Sequence, residues 1–104
     1  MKPSLKTDRA RKAVFPGSFD PITRGHENIL RRAAVLFDEV TLAIGVNQDK
    51  AGMFPLDRRM EWCRETFADV PNIKVSSFEG LTVDYCHTIG AGWLIRGVRN
   101  GGDF

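Results

Sequence analysis

Residues 40–46 narrow the possible folds most. They read Val-Thr-Leu-Ala-Ile-Gly-Val, apolar at nearly every position instead of every second one, as a strand covered on both faces must be. Strands of that kind belong to parallel sheets, whose strands need crossover connections, usually helices. The rest of the chain supplies such parts. Ala13-Val14-Phe15 is a short apolar run stopped by Pro16-Gly17. After a loop over residues 18–25, the apolar Ile29, Leu30, Ala33, Leu36 and Phe37 recur at helical spacing within residues 26–37, while Glu27, Arg31 and Arg32 face away. Pro55 suits the first position of a second helix with the stripe Leu56, Met60, Cys63 and Phe67. Residues 72–76 read as a third strand, with Phe78-Glu79-Gly80 as its exit. A third helix is expected from about Leu81 to Ile89, capped by Gly90, and Trp93-Leu94-Ile95 forms a fourth strand. The order β-α-β-α-β-α-β predicts the first half of a Rossmann-like, doubly wound α/β fold with right-handed crossovers.

Size and charge bound the function. A chain of 104 residues, 42% of them hydrophobic, makes one small domain and excludes a two-domain enzyme. No apolar run approaches the roughly 20 residues that span a bilayer, and the N-terminus lacks the apolar stretch of a secretory signal, so no membrane association and a cytoplasmic location are expected. The formal charge is +2, but residues 1–12 hold five cations, Lys2, Lys6, Arg9, Arg11 and Lys12, against Asp8 alone. Removing these from the totals of 15 basic and 13 acidic residues leaves 10 and 12, about −2 for residues 13–104. That balance makes no case for nucleic acid, and residues 1–12 are expected to form a solvated basic extension of a domain spanning 13–104. Cys63 and Cys86 are the only cysteines and His26 and His87 the only histidines, with no metal-ligand spacing among them. Buried free thiols are the expectation, and Trp62 and Trp93 are expected to anchor the core or an interface.

In a doubly wound sheet a ligand sits beyond the carboxyl ends of the strands, where the strand order reverses, here between the first and fourth strands. The unusual sequence lies there. Pro16-Gly17-Ser18-Phe19-Asp20-Pro21-Ile22-Thr23-Arg24-Gly25-His26 surrounds hydroxyls and an imidazole with two glycines and two prolines, and ends where a helix begins. Free N–H groups and the helix dipole at that terminus favour an anion. Gly25 lets a phosphate approach, Thr23 can cap the helix, and His26 can donate to a phosphate oxygen. Lys50 follows the second strand in a polar loop. Arg96 directly follows an apolar strand, where burial would oblige it to find an anion or an ion pair.

The Thr23-Arg24-Gly25-His26 run resembles the nucleotidyltransferase signature in which a His or Thr stands three positions before a His. More narrowly, residues 16–26 look like the first motif of the bacterial phosphopantetheine adenylyltransferase family. Ile95-Arg96-Gly97-Val98-Arg99-Asn100-Gly101-Gly102-Asp103-Phe104 resembles that family's second motif. The resemblance covers about residues 13–104 and implies a nucleotidyltransferase-type sheet that transfers AMP from ATP, with Mg²⁺, to 4'-phosphopantetheine. It implies that Ser18 and the Phe19 backbone contact the phosphates and that His26 stabilises charge at the α-phosphate. It further implies catalytic Lys50 and Arg96 on the acceptor phosphate, Gly97, Val98 and Arg99 in the ATP site, and Leu81 and Thr82 against the pantetheine arm. Coenzyme A as a ligand of the same site and a homo-oligomer, a hexamer in the family, follow from the same resemblance.

The match also has departures. The family continues past the second motif with further helices, a fifth strand and a Ser-rich loop that completes the ATP site, so the fold is expected to be incomplete at the C-terminus, with an open apolar face near Trp93 and Ile95. Pro55-Leu56-Asp57-Arg58-Arg59 stands where relatives place Ser or Thr before an acidic pair. Two other readings are a cytidylyltransferase or nicotinamide-mononucleotide adenylyltransferase, against which Thr23 and the Ile-Arg-Gly-Val-Arg run argue, and a fragment that binds phosphopantetheine or coenzyme A, or assembles, without efficient catalysis.

Overall fold

The computed structural model describes residues 10–47 and 52–96. Four parallel strands lie in the order β3-β2-β1-β4: β1 Lys12–Gly17, β2 Glu39–Gly45, β3 Ile73–Phe78 and β4 Trp93–Leu94. Helices α1 Arg24–Leu36, α2 Leu56–Thr66 and α3 Thr82–Ile89 connect them in alternation. The reversal of strand order falls between β1 and β4, as expected. No helix among the described residues is long and apolar enough to cross a membrane.

Register sorts the side chains onto two faces. Ala13, Val40 and Ile73 are aligned across the sheet, followed two residues on by Phe15, Leu42 and Val75. These point to the face that carries α1 and α2, where Leu30, Ala33, Cys63 and Phe67 complete the main core. The opposite face presents Val14, Thr41, Ala43, Ser76 and Phe78, and Tyr85 of α3 stacks on Phe78 with ring centroids 4.8 Å apart. Right-handed crossovers require this division, because β3→β4 runs back across the sheet against the direction of the first two connections. The α1 and α2 ends are tied by Arg31, which reaches Glu27 at 2.9 Å, Asp69 at 3.0 Å and the Thr66 carbonyl at 3.0 Å. The Asn72 side-chain amide donates to the Ala34 carbonyl at 2.8 Å and so closes the end of α1.

Several boundaries differ from the expectation. β1 runs through Pro16 and Gly17, paired with Ala43 and Ile44. The carbonyls of Lys12 and Val14 accept from Gly92 and Ile95 on the β4 side; by strand parity Pro16 faces that side too, beyond the β4 pairing, so its missing donor breaks no bond with β2. β3 continues past the expected end at Ser76 through Ser77 to Phe78, because backbone pairing with β2 does not depend on apolar side chains. Helix α1 starts two residues before His26, since Thr23 is its cap, and Pro55 is the residue before α2, with no side-chain cap. Lys12 lies inside β1, and Arg11 donates its backbone N–H to Asp38 and its guanidinium to the Leu36 carbonyl, so both belong to the domain. Residues 1–9 of the basic extension lie outside the described residues.

Trp93 and Leu94 are 46% and 39% exposed, whereas Ile95 packs against the core. The open surface expected at Trp93 and Ile95 is therefore at Trp93 and Leu94. Trp93 packs its ring beside Phe37 at 5.5 Å, and Trp62 sits edge-on to Phe54 at 4.9 Å. Both cysteines are free; Cys63 is fully buried, which pushes its thiol up to about 11, while Cys86 is half-buried.

Candidate nucleotide-transfer site

The turn between β1 and α1 begins with a constrained backbone. Phe19 has φ +46°, a left-handed conformation that costs a residue with a Cβ about 1 kcal/mol. Its ring offsets that strain by burial, 2% exposed and edge-on to Phe15 at 5.6 Å. Gly17 lets the Phe19 ring pack closely, since a Cβ there would lie 3.0 Å from it and force the ring to shift.

The turn delivers His26 to the helix start in a fixed state. The Thr23 hydroxyl accepts from the His26 N–H at 3.2 Å, and the His26 Nδ1 accepts from the Thr23 N–H at 3.0 Å, a reciprocal capping box in which histidine takes the place usually held by Glu or Gln. Phe19 and Phe15 pack on the imidazole at 4.8 and 6.1 Å. Burial lowers the His26 pKa from its ordinary 6.5, so the ring is neutral at pH 7. With Nδ1 accepting, the single proton resides on Nε2. The cap uses the His26 N–H, and the first-turn amides of Arg24 and Gly25 keep no partner within the helix. The result is an aligned set of neutral donors at the positive end of a helix, beside the strand-order reversal.

Beside this turn lies a cavity of about 740 Å³, lined by Ser18, Asp20, the end of β2 at Gly45 to Asn47, and residues 52–56 and 59. Ser18 is exposed at its rim. Leu81, 70% exposed, caps α3 without a side-chain bond, and Thr82 begins that helix half-buried. Arg96 is exposed just beyond β4. With Arg96 exposed, burial does not by itself oblige it to find a partner. Lys50, Gly97, Val98 and Arg99 lie outside the described residues. The structure thus brings together Ser18, Phe19 and His26 at the end of β1, and places Leu81, Thr82 and Arg96 at the ends of β3 and β4.

Two charged residues here were not singled out from the sequence. Asp20 accepts the N–H groups of Met53 and Phe54, the latter at 2.8 Å, and Arg59 donates to the carbonyls of Ser18 and Phe54, each at 2.9 Å. The signal was available in the helical spacing. Position 59 lies three after Leu56 and four before Cys63, on the buried stripe of α2, where a charge has to be paired.

Comparison with known proteins agrees with this geometry. Residues 14–104 match the cytidylyltransferase-like family model. A phosphopantetheine adenylyltransferase of Flavobacterium psychrophilum is 53% identical over 94 residues, 90% of this chain and 62% of the relative. The enzyme of the same name from Cutibacterium acnes is 50% identical over 89% of this chain and 59% of its own length. The chain therefore spans about three-fifths of the length of the curated relatives it matches. Among solved structures, NadR in complex with NAD and AMP-PNP shares the fold with a TM-score of 0.61 and 30% identity, over 70% of this chain and 21% of NadR. With its capped histidine at the β1–α1 turn, its 3-2-1-4 parallel sheet and a family match from residue 14 onward, the chain belongs to the cytidylyltransferase-like family.

Proposed function

We propose that this chain carries the adenylyl-transfer chemistry named in its relatives: AMP passes from ATP to 4'-phosphopantetheine, giving dephospho-coenzyme A and pyrophosphate. The observation that carries the reading is the capping box that holds His26 by its Nδ1 at the start of α1, leaving Nε2 to carry the ring proton. A phosphate oxygen of 4'-phosphopantetheine forms the new bond to the α-phosphorus, and the bond to the bridging oxygen breaks, its electron pair leaving with pyrophosphate. The nucleophile is already an anion at neutral pH. No strong protein base is needed, and catalysis consists of placing two anions and stabilising charge on the α-phosphate.

In this reading His26 donates from Nε2 to an α-phosphate oxygen, most strongly as charge builds there. Ser18 and the backbone at Phe19 contact the phosphates. Lys50 and Arg96 hold the acceptor phosphate, and an Arg96 in water is free to turn toward it. Gly97, Val98 and Arg99 line the ATP site, and Leu81 and Thr82 border the pantetheine arm, which coenzyme A shares. Mg²⁺ enters in this reading on the phosphates of ATP. The exposed Trp93 and Leu94 support self-association, which the mass in solution tests.

The test is pyrophosphate release with ATP and 4'-phosphopantetheine, beside CTP and other acceptors. It is run with this chain and with the chain joined to the part of the Flavobacterium psychrophilum relative beyond the matched region. Turnover with ATP and 4'-phosphopantetheine is expected. Activity confined to another nucleotide or acceptor removes the reading. Binding without turnover in this chain, restored by the joined segment, supports the reading in which the present residues bind substrate and leave catalysis to the longer chain.

A further inference from the structure

Arg59 is a buried arginine, 8% exposed, on a helix to which the site described above assigns no role. Burying a guanidinium is costly unless its donors are satisfied, so its partners show what it is for. Nη1 donates to the Ser18 carbonyl in the turn after β1, and Nε donates to the Phe54 carbonyl in the loop before α2, both at 2.9 Å. Nε also lies 3.9 Å from Asp20, whose carboxylate accepts the N–H groups of Met53 and Phe54. Together these contacts tie the turn after β1, the residues before α2 and the first turn of α2 to one another. Gly52 shows how tightly they are joined, because a Cβ there would lie 2.6 Å from the Asp20 carboxylate and 3.2 Å from the guanidinium.

We propose that Arg59 is a positioning residue: with Asp20 it latches the phosphate-contacting turn at residues 18–20 to residues 52–54 ahead of α2, setting the separation of the two reacting phosphates. The inference rests on the adenylyl-transfer reading and deepens it. Transfer between two anions depends on their mutual placement, and each loop can bind its own phosphate without fixing the other. The latch needs a fork of donors aimed at two carbonyls. Arginine has that fork, whereas lysine brings one point charge and cannot span both.

Arg59→Met keeps the volume of the side chain and removes the fork; Arg59→Lys keeps only the charge. Loosening the latch is expected to lower kcat about 100-fold in both, while the Kd of ATP and of 4'-phosphopantetheine, each measured alone by calorimetry, changes less than about threefold. The Met53 and Phe54 amides are expected to exchange with solvent at least about tenfold faster in Arg59→Met, with the amides of β2 unaffected. Phe67→Leu, at the far end of α2, lowers stability without touching the latch and serves as the control for kcat per folded molecule.

Unchanged kcat in Arg59→Met, a fall no larger than in Phe67→Leu, or a rise in Kd that matches the fall in kcat overturns the proposal. Lysine restoring full kcat overturns it as well. Where Arg59→Met does not fold, Gly52→Ala strains the same contact from the loop side and is held to the same kcat and Kd outcomes. No turnover by the wild type overturns the adenylyl-transfer reading and the positioning role together, before any variant is assayed. Normal turnover by both wild type and Arg59→Met overturns the latch alone.

Discussion

Helices α1 and α3 both begin at the carboxyl edge of the sheet, on opposite faces, and are held in different ways. Helix α1 opens with a reciprocal cap and buries Leu30 and Ala33 completely or nearly so. Helix α3 opens at Leu81 with no side-chain cap, buries no residue, and leaves Leu81 and Val83 at 70% and 64% exposure. The difference matches what each is proposed to do. A donor that must meet charge developing on one phosphate oxygen needs a fixed origin, whereas a flexible apolar arm needs only a surface to lie against.

The sharpest way to break this comparison is at His26. Replacing it with alanine is expected to lower turnover by about 10²–10³-fold with little change in 4'-phosphopantetheine binding, as loss of a transition-state donor does. Leu81→Ala, at the start of α3, is expected to raise the KM for 4'-phosphopantetheine about threefold and leave kcat unchanged, the mark of uniform binding. Initial rates of pyrophosphate release decide both, and equal losses at the two positions would end the distinction. Stability should show the same asymmetry. Leu30→Ala removes a fully buried side chain and is expected to cost about 3 kcal/mol in urea unfolding, whereas Val83→Ala should stay within about 0.5 kcal/mol.

How much of this was legible in the sequence depended on whether an element is governed by local pattern or by distant partners. The apolar run at residues 40–46 and the stripe through Leu30 and Ala33 stated their burial directly, so strand order, crossovers and the His26 turn followed. The end of β3 did not, because Ser77 joins the ladder through backbone groups that carry no side-chain signal. The exposure of Arg96 was hidden for a related reason: an apolar Trp-Leu pair suggests burial only if something covers it, and here Trp93 and Leu94 are exposed. Asp20 and Arg59 were missed since their meaning lies in contacts 33 to 41 residues away along the chain. The helical spacing of position 59 was the one local clue.

Caps test the comparison at a smaller scale. Thr23→Val removes the hydroxyl that accepts from the His26 N–H and is expected to destabilise the fold by about 1 kcal/mol. At the equivalent place on α3 the expectation reverses. Leu81→Ser supplies a cap where none exists and gives up little burial, so it should stabilise by about 0.5–1 kcal/mol. Thermal or urea unfolding of the pair measures both signs, and a destabilised Leu81→Ser would show that its side chain contributes more to packing than its exposure suggests.

The smallest effect is in pH, and its sign follows from burial at the start of α1. His26 has its pKa lowered from 6.5 in the folded chain, because burial disfavours the imidazolium. As pH falls through about 6.5 the unfolded chain takes up this proton before the folded chain does, so the unfolded state binds more protons and stability declines. The decline stops once the pH lies below the lowered folded value, where both states are protonated. His26→Gln separates this from other titrations, since glutamine suits the capping-box position and carries no proton to exchange. Wild type and His26→Gln are expected to keep a constant difference in unfolding free energy well above pH 6.5, with the wild type losing ground as the pH falls from 6.5 toward the lowered folded value. Parallel stability curves across that interval would mean that the imidazole is as freely solvated in the folded chain as in the unfolded one, and the contrast between a fixed α1 start and a loose α3 start would lose its electrostatic half.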